Sequence, residues 1–94
     1  MASKRGAVAL VLSPSKAVIN LGKSEGVQLG SKYLVYATGP EVTDPVTGDS
    51  LGQLELVKGF GLVTHVQENM ATLSAEVSAG FATVGRGDLI RKVS

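Results

Sequence analysis

Short stretches of aliphatic and β-branched residues recur along this chain, and glycine or proline separates them at intervals of roughly ten residues. Within these stretches apolar and polar side chains alternate, for example Leu54 and Leu56 with Gln53 and Glu55. A period of two is typical of a β-strand with one buried and one solvent-facing side. Only residues 68–77 compete as a helix, and their serine and threonine make a strand the better description. The pattern therefore predicts an all-β protein.

Seven segments carry this signal, and we predict strands at Ala7–Leu12, Ala17–Leu21, Lys32–Thr38, Leu51–Val57, Phe60–Gln67, Met70–Val77 and Asp88–Val93. The 94 residues suffice for one domain, so residues 1–94 are expected to form a single domain with flexible ends at 1–5 and 94. We expect a small, mostly antiparallel barrel, closed or partly open, of about six to seven short strands, because closure hides strand edges. No helix longer than about two turns is expected.

The same alternation assigns side chains to the inside of this fold. Large apolar residues share one face of each of the fourth, fifth and sixth predicted strands, opposite a more polar face. We therefore predict a single core that contains Leu54, Leu56, Phe60, Leu62, Val66 and Leu73.

Charge and composition narrow the classes of function. Nine basic and eight acidic residues leave a formal net charge of +1, and the basic pairs Lys4-Arg5 and Arg91-Lys92 lie near the two ends. A nucleic-acid partner is therefore not expected, and two tyrosines with two phenylalanines are few for base stacking. The absence of cysteine excludes disulfides and thiolate metal sites. No apolar run approaches the roughly 18 residues of a membrane-spanning helix, so membrane insertion is not expected.

Several weak signals for chemistry have simpler explanations. The single histidine, His65, is predicted to be a surface residue. Gly22-Lys23-Ser24 is similar to the end of a phosphate-binding loop, but Ala17 stands where that motif needs glycine. Arg86-Gly87-Asp88 spells an adhesion tripeptide, yet we expect Gly87-Asp88 to start the last strand. No nucleophile, base or pair of acids has the spacing of a catalytic site, so we expect no enzyme, no metal site and no cofactor.

Two glycine-containing loops are candidate partner-binding sites. The first, residues 22–30, contains three glycines and is expected to form a stiff rim on the barrel. The second spans residues 44–49, where Pro45 fixes one φ angle and Gly48 is predicted to adopt a positive φ. Its two carboxylates are better explained as turn formers than as a calcium site. The candidate partner-binding residues are Lys23, Ser24, Glu25, Gly26, Asp44 and Asp49.

Two segments together resemble known small barrels. The first segment resembles a hairpin element of bacterial barrels, including the rod-shape protein MreC. It reads Val18-Ile19-Asn20-Leu21-Gly22-Lys23-Ser24-Glu25-Gly26-Val27-Gln28-Leu29-Gly30. Asp44–Gly52 follows a Tyr-Leu-Val-Tyr strand and precedes Gly61–Val66, and in that order the chain is similar to the C-terminal domain of the flagellar H-ring protein FlgT. Gly87-Asp88-Leu89-Ile90 matches the closing strand of that family. The resemblance spans about Val8 to Ile90, and it implies a small β-barrel used for assembly in the bacterial envelope, without catalytic residues.

The sequence thus predicts a non-catalytic β-barrel interaction or assembly module that contacts another protein or a second copy of itself. The resemblance implies a bacterial source. The alternative is a small nucleic-acid- or ligand-binding β-barrel. A whole chain of this kind would be cytoplasmic, whereas a domain cut from an exported protein would be periplasmic or envelope-associated.

Overall fold

The computed structural model describes residues 5–77 and 80–93, and their regular structure is almost entirely β. The strands are β1 (Val8–Ser13), β2 (Lys16–Ile19), β3 (Lys32–Thr43), β4 (Ser50–Val66), β5 (Ala71–Ala75) and β6 (Leu89–Val93). They form one antiparallel sheet in the order β1-β2-β5-β4-β3-β6. The one helical element of the described residues is a 3₁₀ turn at Lys23–Glu25. The all-β prediction is confirmed.

The number of strands differs from the seven predicted, because Leu51–Val57 and Phe60–Gln67 belong to one continuous strand, β4. The Lys58-Gly59 pair, which separates them in the sequence, is a β-bulge rather than a turn. On β3, Val35 pairs with Gly59 and the next residue, Tyr36, pairs with Val57, which leaves Lys58 as the extra residue. A bulge bends a strand without ending it, so the described chain has six strands.

The first and last strands of this sheet approach each other at one point. Ala7 and Leu89 form an isolated antiparallel bridge. The amide of Val8 donates to the carbonyl of Asp88 at 2.7 Å, and the amide of Gly87 donates to the carbonyl of Val8 at 2.8 Å. No continuous ladder joins β1 to β6 among the described residues, so the strands make a single six-stranded sheet that is not closed.

The flexible ends predicted at 1–5 and 94 lie outside the described residues except for Arg5. The carbonyl of Arg5 accepts a hydrogen bond of 3.1 Å from Asn20 Nδ2, and Asn20 Oδ1 accepts one of 2.8 Å from the amide of Ala7. The asparagine that follows β2 therefore ties down the start of the described chain.

The core is built from aliphatic and two aromatic side chains of the strands and of the loops. Its buried members are Val8, Ala17, Ile19, Val27, Tyr33, Val35, Val63, Ala71, Leu73, Phe81, Val84 and Ile90. Val27 enters it from the loop after β2, whereas Phe81 and Val84 enter it from the segment before β6.

The predicted core was wrong for four of its six members. Leu54, Leu56, Phe60 and Leu62 are between 39% and 48% exposed, whereas Leu73 is fully buried and Val66 is partly buried against the core. Along β4 the core side is instead the one that carries Gly61 and Val63.

The ring of Phe81 explains this reversal. A β-carbon built on Gly61 would lie 2.7 Å from Cζ of Phe81, and one on Gly59 would lie 3.4 Å from its Cδ1. The absent side chain of Gly61 makes room for the ring, which fills the core side of β4 from another segment. At Gly59 the close neighbour is instead the carbonyl of Gly80, which would lie 2.6 Å from a β-carbon. Large residues of β4 consequently face outward at this level.

Candidate functional site

The most unusual part of the structure is a two-stranded ribbon that continues past the edge of the six-stranded sheet. β3 pairs with β6 only from Lys32 to Tyr36, and β4 pairs with β5 only from Gly61 onward. Residues 37–56 lie beyond both limits and pair only with each other, from Ala37 opposite Leu56 to Thr43 opposite Ser50. We call these residues the β-arm. Seven residues per strand extend roughly 24 Å at about 3.4 Å per residue.

The β-arm carries apolar side chains that the described residues leave partly or largely exposed. They are Val42, Val46, Leu51, Leu54 and Leu56, each more than a third exposed, and Val57 at the base is exposed too. Leu54 and Leu56 are two residues apart and therefore share one face of the ribbon. A β-carbon on Gly39 would lie 3.2 Å from Cγ of Leu56 and 3.4 Å from Cβ of Leu54. The two leucines of β4 therefore lie beside a glycine of β3, which has no side chain to cover them. The face is apolar and partly exposed.

The β-arm is also acidic. It contains four of the eight acidic residues of the chain and none of its nine lysines and arginines, so its formal charge is −4 while the rest of the chain carries +5. Arg91 on β6 makes an ion pair of 3.1 Å with Glu55 at the base of the arm. Glu41 accepts a hydrogen bond of 3.0 Å from the hydroxyl of Ser50.

The second predicted loop, Asp44–Asp49, forms the tip of the β-arm. The Asp44 carboxylate accepts a hydrogen bond of 2.8 Å from the amide of Val46, and its carbonyl accepts one of 2.8 Å from the amide of Gly48. The φ angle of Gly48 is +78°, which confirms the conformation predicted for it. Asp44 is thus the residue that shapes the turn, as the sequence indicated.

The first predicted loop is held on the body of the sheet. The amide of Lys23 donates to the carbonyl of Gln67 at 2.8 Å, and the amide of Ser24 donates to that of Glu68 at 3.0 Å. The Glu25 carboxylate accepts a hydrogen bond of 2.7 Å from the amide of Gly22. These bonds fix the loop against the β4–β5 turn, and the side chain of Lys23 is left exposed.

The two predicted loops do not form one site, because they lie at opposite ends of β4. The 3₁₀ turn contacts the residues that follow β4, whereas Asp44–Asp49 precedes it. The apolar residues of the β-arm were missed as a surface. Their signal was present in the alternating leucines of residues 51–57, but alternation alone does not show whether an apolar face is covered.

The structure also shows where His65 and the Arg86-Gly87-Asp88 tripeptide lie. His65 is an exposed residue of β4, as predicted. In the Arg86-Gly87-Asp88 tripeptide, the Asp88 carboxylate contacts the ammonium of Lys58 at 2.9 Å and the amide of Gly85 at 2.8 Å. Asp88 directly precedes β6 and fastens its loop to β4, which is a structural task.

A groove of about 450 Å³ lies at the base of the β-arm. Its lining includes Arg5, Ala37, Thr38, Gln53 and residues 87–89. Within residues 5–77 and 80–93, no buried side-chain nitrogen or oxygen lacks a hydrogen-bond partner, and no group of three or more His, Cys, Asp or Glu residues is placed to hold a metal ion.

No protein-family model and no curated protein sequence matches this chain significantly. In the part of the chain that the structure describes, no helix has the length and apolar character needed to cross a membrane.

Proposed function

We propose that this chain is a non-catalytic interaction module that binds a protein partner through the β-arm. The observation that carries the proposal is the exposure of the Leu54–Leu56 face on a ribbon with two unpaired edges. A two-stranded ribbon with no third strand is only marginally stable in water, and uncovered strand edges attract further strands. A partner that covers the leucine pair and adds backbone hydrogen bonds relieves both liabilities.

Covering this face should contribute a substantial binding free energy for so small a surface. Full burial of a leucine side chain is worth about 1.5–3 kcal/mol, and both leucines are already half-buried, so each would contribute about 1 kcal/mol. Strand addition supplies backbone hydrogen bonds along the same ribbon. Apolar contact and strand pairing therefore act at one place.

The body that supports the β-arm is proposed to be a small barrel. The Ala7–Leu89 bridge and the hydrogen bond of 3.1 Å from the amide of Ile90 to the carbonyl of Gly6 support closure between β1 and β6. A closed body would give the arm a firm base, because contact between β1 and β6 covers part of the edges of these two outer strands.

A role in assembly of the bacterial envelope, as in FlgT-type C-terminal domains, is part of the proposal and rests on the sequence resemblance. Domains of that kind act through contact rather than catalysis, which agrees with a site made of a ribbon and two leucines. The resemblance names no partner, so the partner must be found by experiment.

A photo-crosslinking amino acid at position 54 tests the proposal, with the same substitution at the exposed Gln28 as matched control. We expect a discrete protein adduct at position 54 in the native host and none at position 28. The captured protein, once purified, should bind the wild-type chain and lose at least tenfold in affinity for the Leu54→Ser/Leu56→Ser variant.

Equal adducts at both positions, or unchanged affinity of the serine variant, would overturn the proposed site. The alternative of a nucleic-acid-binding barrel has its own outcome: a gel shift that weakens steeply as salt rises would support that function instead.

A further inference from the structure

Charge is distributed along this chain in a way that suits self-association. The first acidic residue is Glu25, and the 24 residues before it contain the four bases Lys4, Arg5, Lys16 and Lys23, which gives this segment a formal charge of +4. That segment includes the β1–β2 hairpin, Val8–Ile19. The β-arm carries −4. The hairpin itself contains one of the four bases, Lys16, and no acid, so the two ribbons of one molecule are opposite in sign, with formal charges of +1 and −4.

The β1–β2 hairpin also offers the matching apolar surface. Leu10 and Leu12, two residues apart on β1, are 53% and 54% exposed. Lys16 is exposed on β2, where it pairs with Ser13 at the end of the hairpin. Among the described residues, β1 has a strand ladder only with β2, so its other edge is without a paired strand from Leu10 to Ser13.

We propose that the β-arm of one copy of this chain docks along β1 of a second copy, with Leu54 and Leu56 against Leu10 and Leu12. The inference rests on the proposed function and names the partner as a second copy. The acidic ribbon then lies beside the basic hairpin, and two unpaired strand edges meet. Because the surfaces differ, the contact is head-to-tail, and repetition gives a ring or an open filament.

The area of the β-arm face determines how strong the self-association is expected to be. One face of the arm measures roughly 10 Å by 24 Å from strand spacing and rise, which is well below the ~800 Å² that each partner buries in a standard stable interface. Self-association should therefore be weak, with a Kd on the order of 100 µM. Since opposite charges face each other, it should weaken as salt rises from about 50 mM to about 500 mM.

The test uses sedimentation velocity over a concentration series with two variants that each disable one surface. The arm variant is Leu54→Asp/Leu56→Asp and the hairpin variant is Leu10→Asp/Leu12→Asp. Each alone should remain monomeric, but an equimolar mixture should form a one-to-one dimer, because one intact arm meets one intact hairpin. Leu29→Asp, at an exposed loop position outside both surfaces, should behave as the wild type.

A charge variant serves as a second test that does not disturb an apolar side chain. Lys16→Glu should raise the Kd about tenfold or more at low salt. Lys92→Glu, which makes the same change at an exposed position of β6, should alter it less than twofold.

Three results would overturn the inference: a wild-type chain that stays monomeric throughout, an arm variant that associates like the wild type, or a mixture of the two leucine variants that stays monomeric. Equal effects of the two lysine variants would overturn the docking position. A partner captured at position 54 that is a different protein would leave the proposed function standing while this inference fails.

Discussion

The ammonium of Lys58 lies 2.9 Å from the carboxylate of Asp88 and 3.0 Å from the carbonyl of Thr83, which joins the bulge of β4 to the segment before β6. Lys58 is the extra residue of the bulge, so the irregularity in the strand turns a charged side chain toward the segment that brings Phe81 into the core. The bulge and the placement of Phe81 are therefore parts of one arrangement.

Loss of the Asp88 carboxylate should destabilise the fold. Asp88→Ala removes the carboxylate that accepts from the amide of Gly85 and leaves the ammonium of Lys58 with only the carbonyl of Thr83. We expect a decrease in the free energy of unfolding of about 1–3 kcal/mol. Glu55→Ala is the matched control, because its ion pair with Arg91 is exposed and such pairs contribute about 0–1 kcal/mol. Urea denaturation measures both, and equal losses would contradict the structural role of Asp88.

The side of β4 that faces the core can be tested with two leucines. Leu73→Ala should cost about 2–5 kcal/mol because Leu73 is fully buried. Leu54→Ala should cost less than about 1 kcal/mol because Leu54 is half-exposed on the β-arm. If denaturant curves give similar losses of the free energy of unfolding for the two variants, Leu54 is a core residue and the assignment of the faces of β4 is wrong.

The fit of Phe81 onto β4 predicts sensitivity at Gly61. Gly61→Ala places a β-carbon 2.7 Å from the Phe81 ring and should destabilise the fold by about 1–3 kcal/mol. Gly85→Ala is the control, since a β-carbon there meets nothing within 4 Å and its φ is not positive. The melting temperature of Gly61→Ala should be clearly lower than that of Gly85→Ala. A Gly61→Ala protein as stable as the wild type would show that the Phe81 ring can move aside without loss.

The tip of the β-arm depends on the backbone of Gly48. Gly48→Val forces a β-branched residue to a φ of +78° and should cost about 1–3 kcal/mol, even though the space around it is open. Gly48→Asn should cost less, because asparagine tolerates the left-handed region. Amide hydrogen exchange in the arm reports the loss, and equal exchange in both variants would refute the backbone argument.

Tyr33 makes stability fall at alkaline pH. Burial raises the pKa of Tyr33 above its usual value of 10.0. The folded state therefore resists ionisation of Tyr33 while the unfolded state releases the proton, so its contribution is complete below pH 10 and declines as pH rises above it. Melting temperatures between about pH 8 and 11.5 should fall less steeply in Tyr33→Phe than in the wild type. Identical slopes in the two proteins would exclude Tyr33 as the cause.

The fold class and most strand positions follow from local signals, whereas the distribution of covered and uncovered surface does not. Period-two alternation and turn residues are encoded over a few neighbours, so β6, the turn at Asp44 and the left-handed Gly48 could be predicted. Both faces of β4 carry some apolar residues. Which face is buried depends on Phe81, which is 20 residues beyond Gly61 in the sequence. No local pattern contains that contact.

The candidate site was predicted only in part for the same reason. Asp44 and Asp49 were selected as turn residues and do lie at the tip of the β-arm. Leu54 and Leu56 were assigned to the core, because an apolar face is normally buried. Only the pairing limits of β3 and β4 reveal that, among the described residues, no third strand joins this part of the ribbon.

The β-arm has a mechanical consequence, because β3 and β4 run from its tip into the middle of the sheet without an intervening loop. A pull on the tip acts along both strands, so the hydrogen bonds that join β3 to β6 and β4 to β5 resist it together in shear. Bonds peeled from a sheet edge would instead fail one after another. Tension on a partner held by the arm would therefore reach the centre of the body.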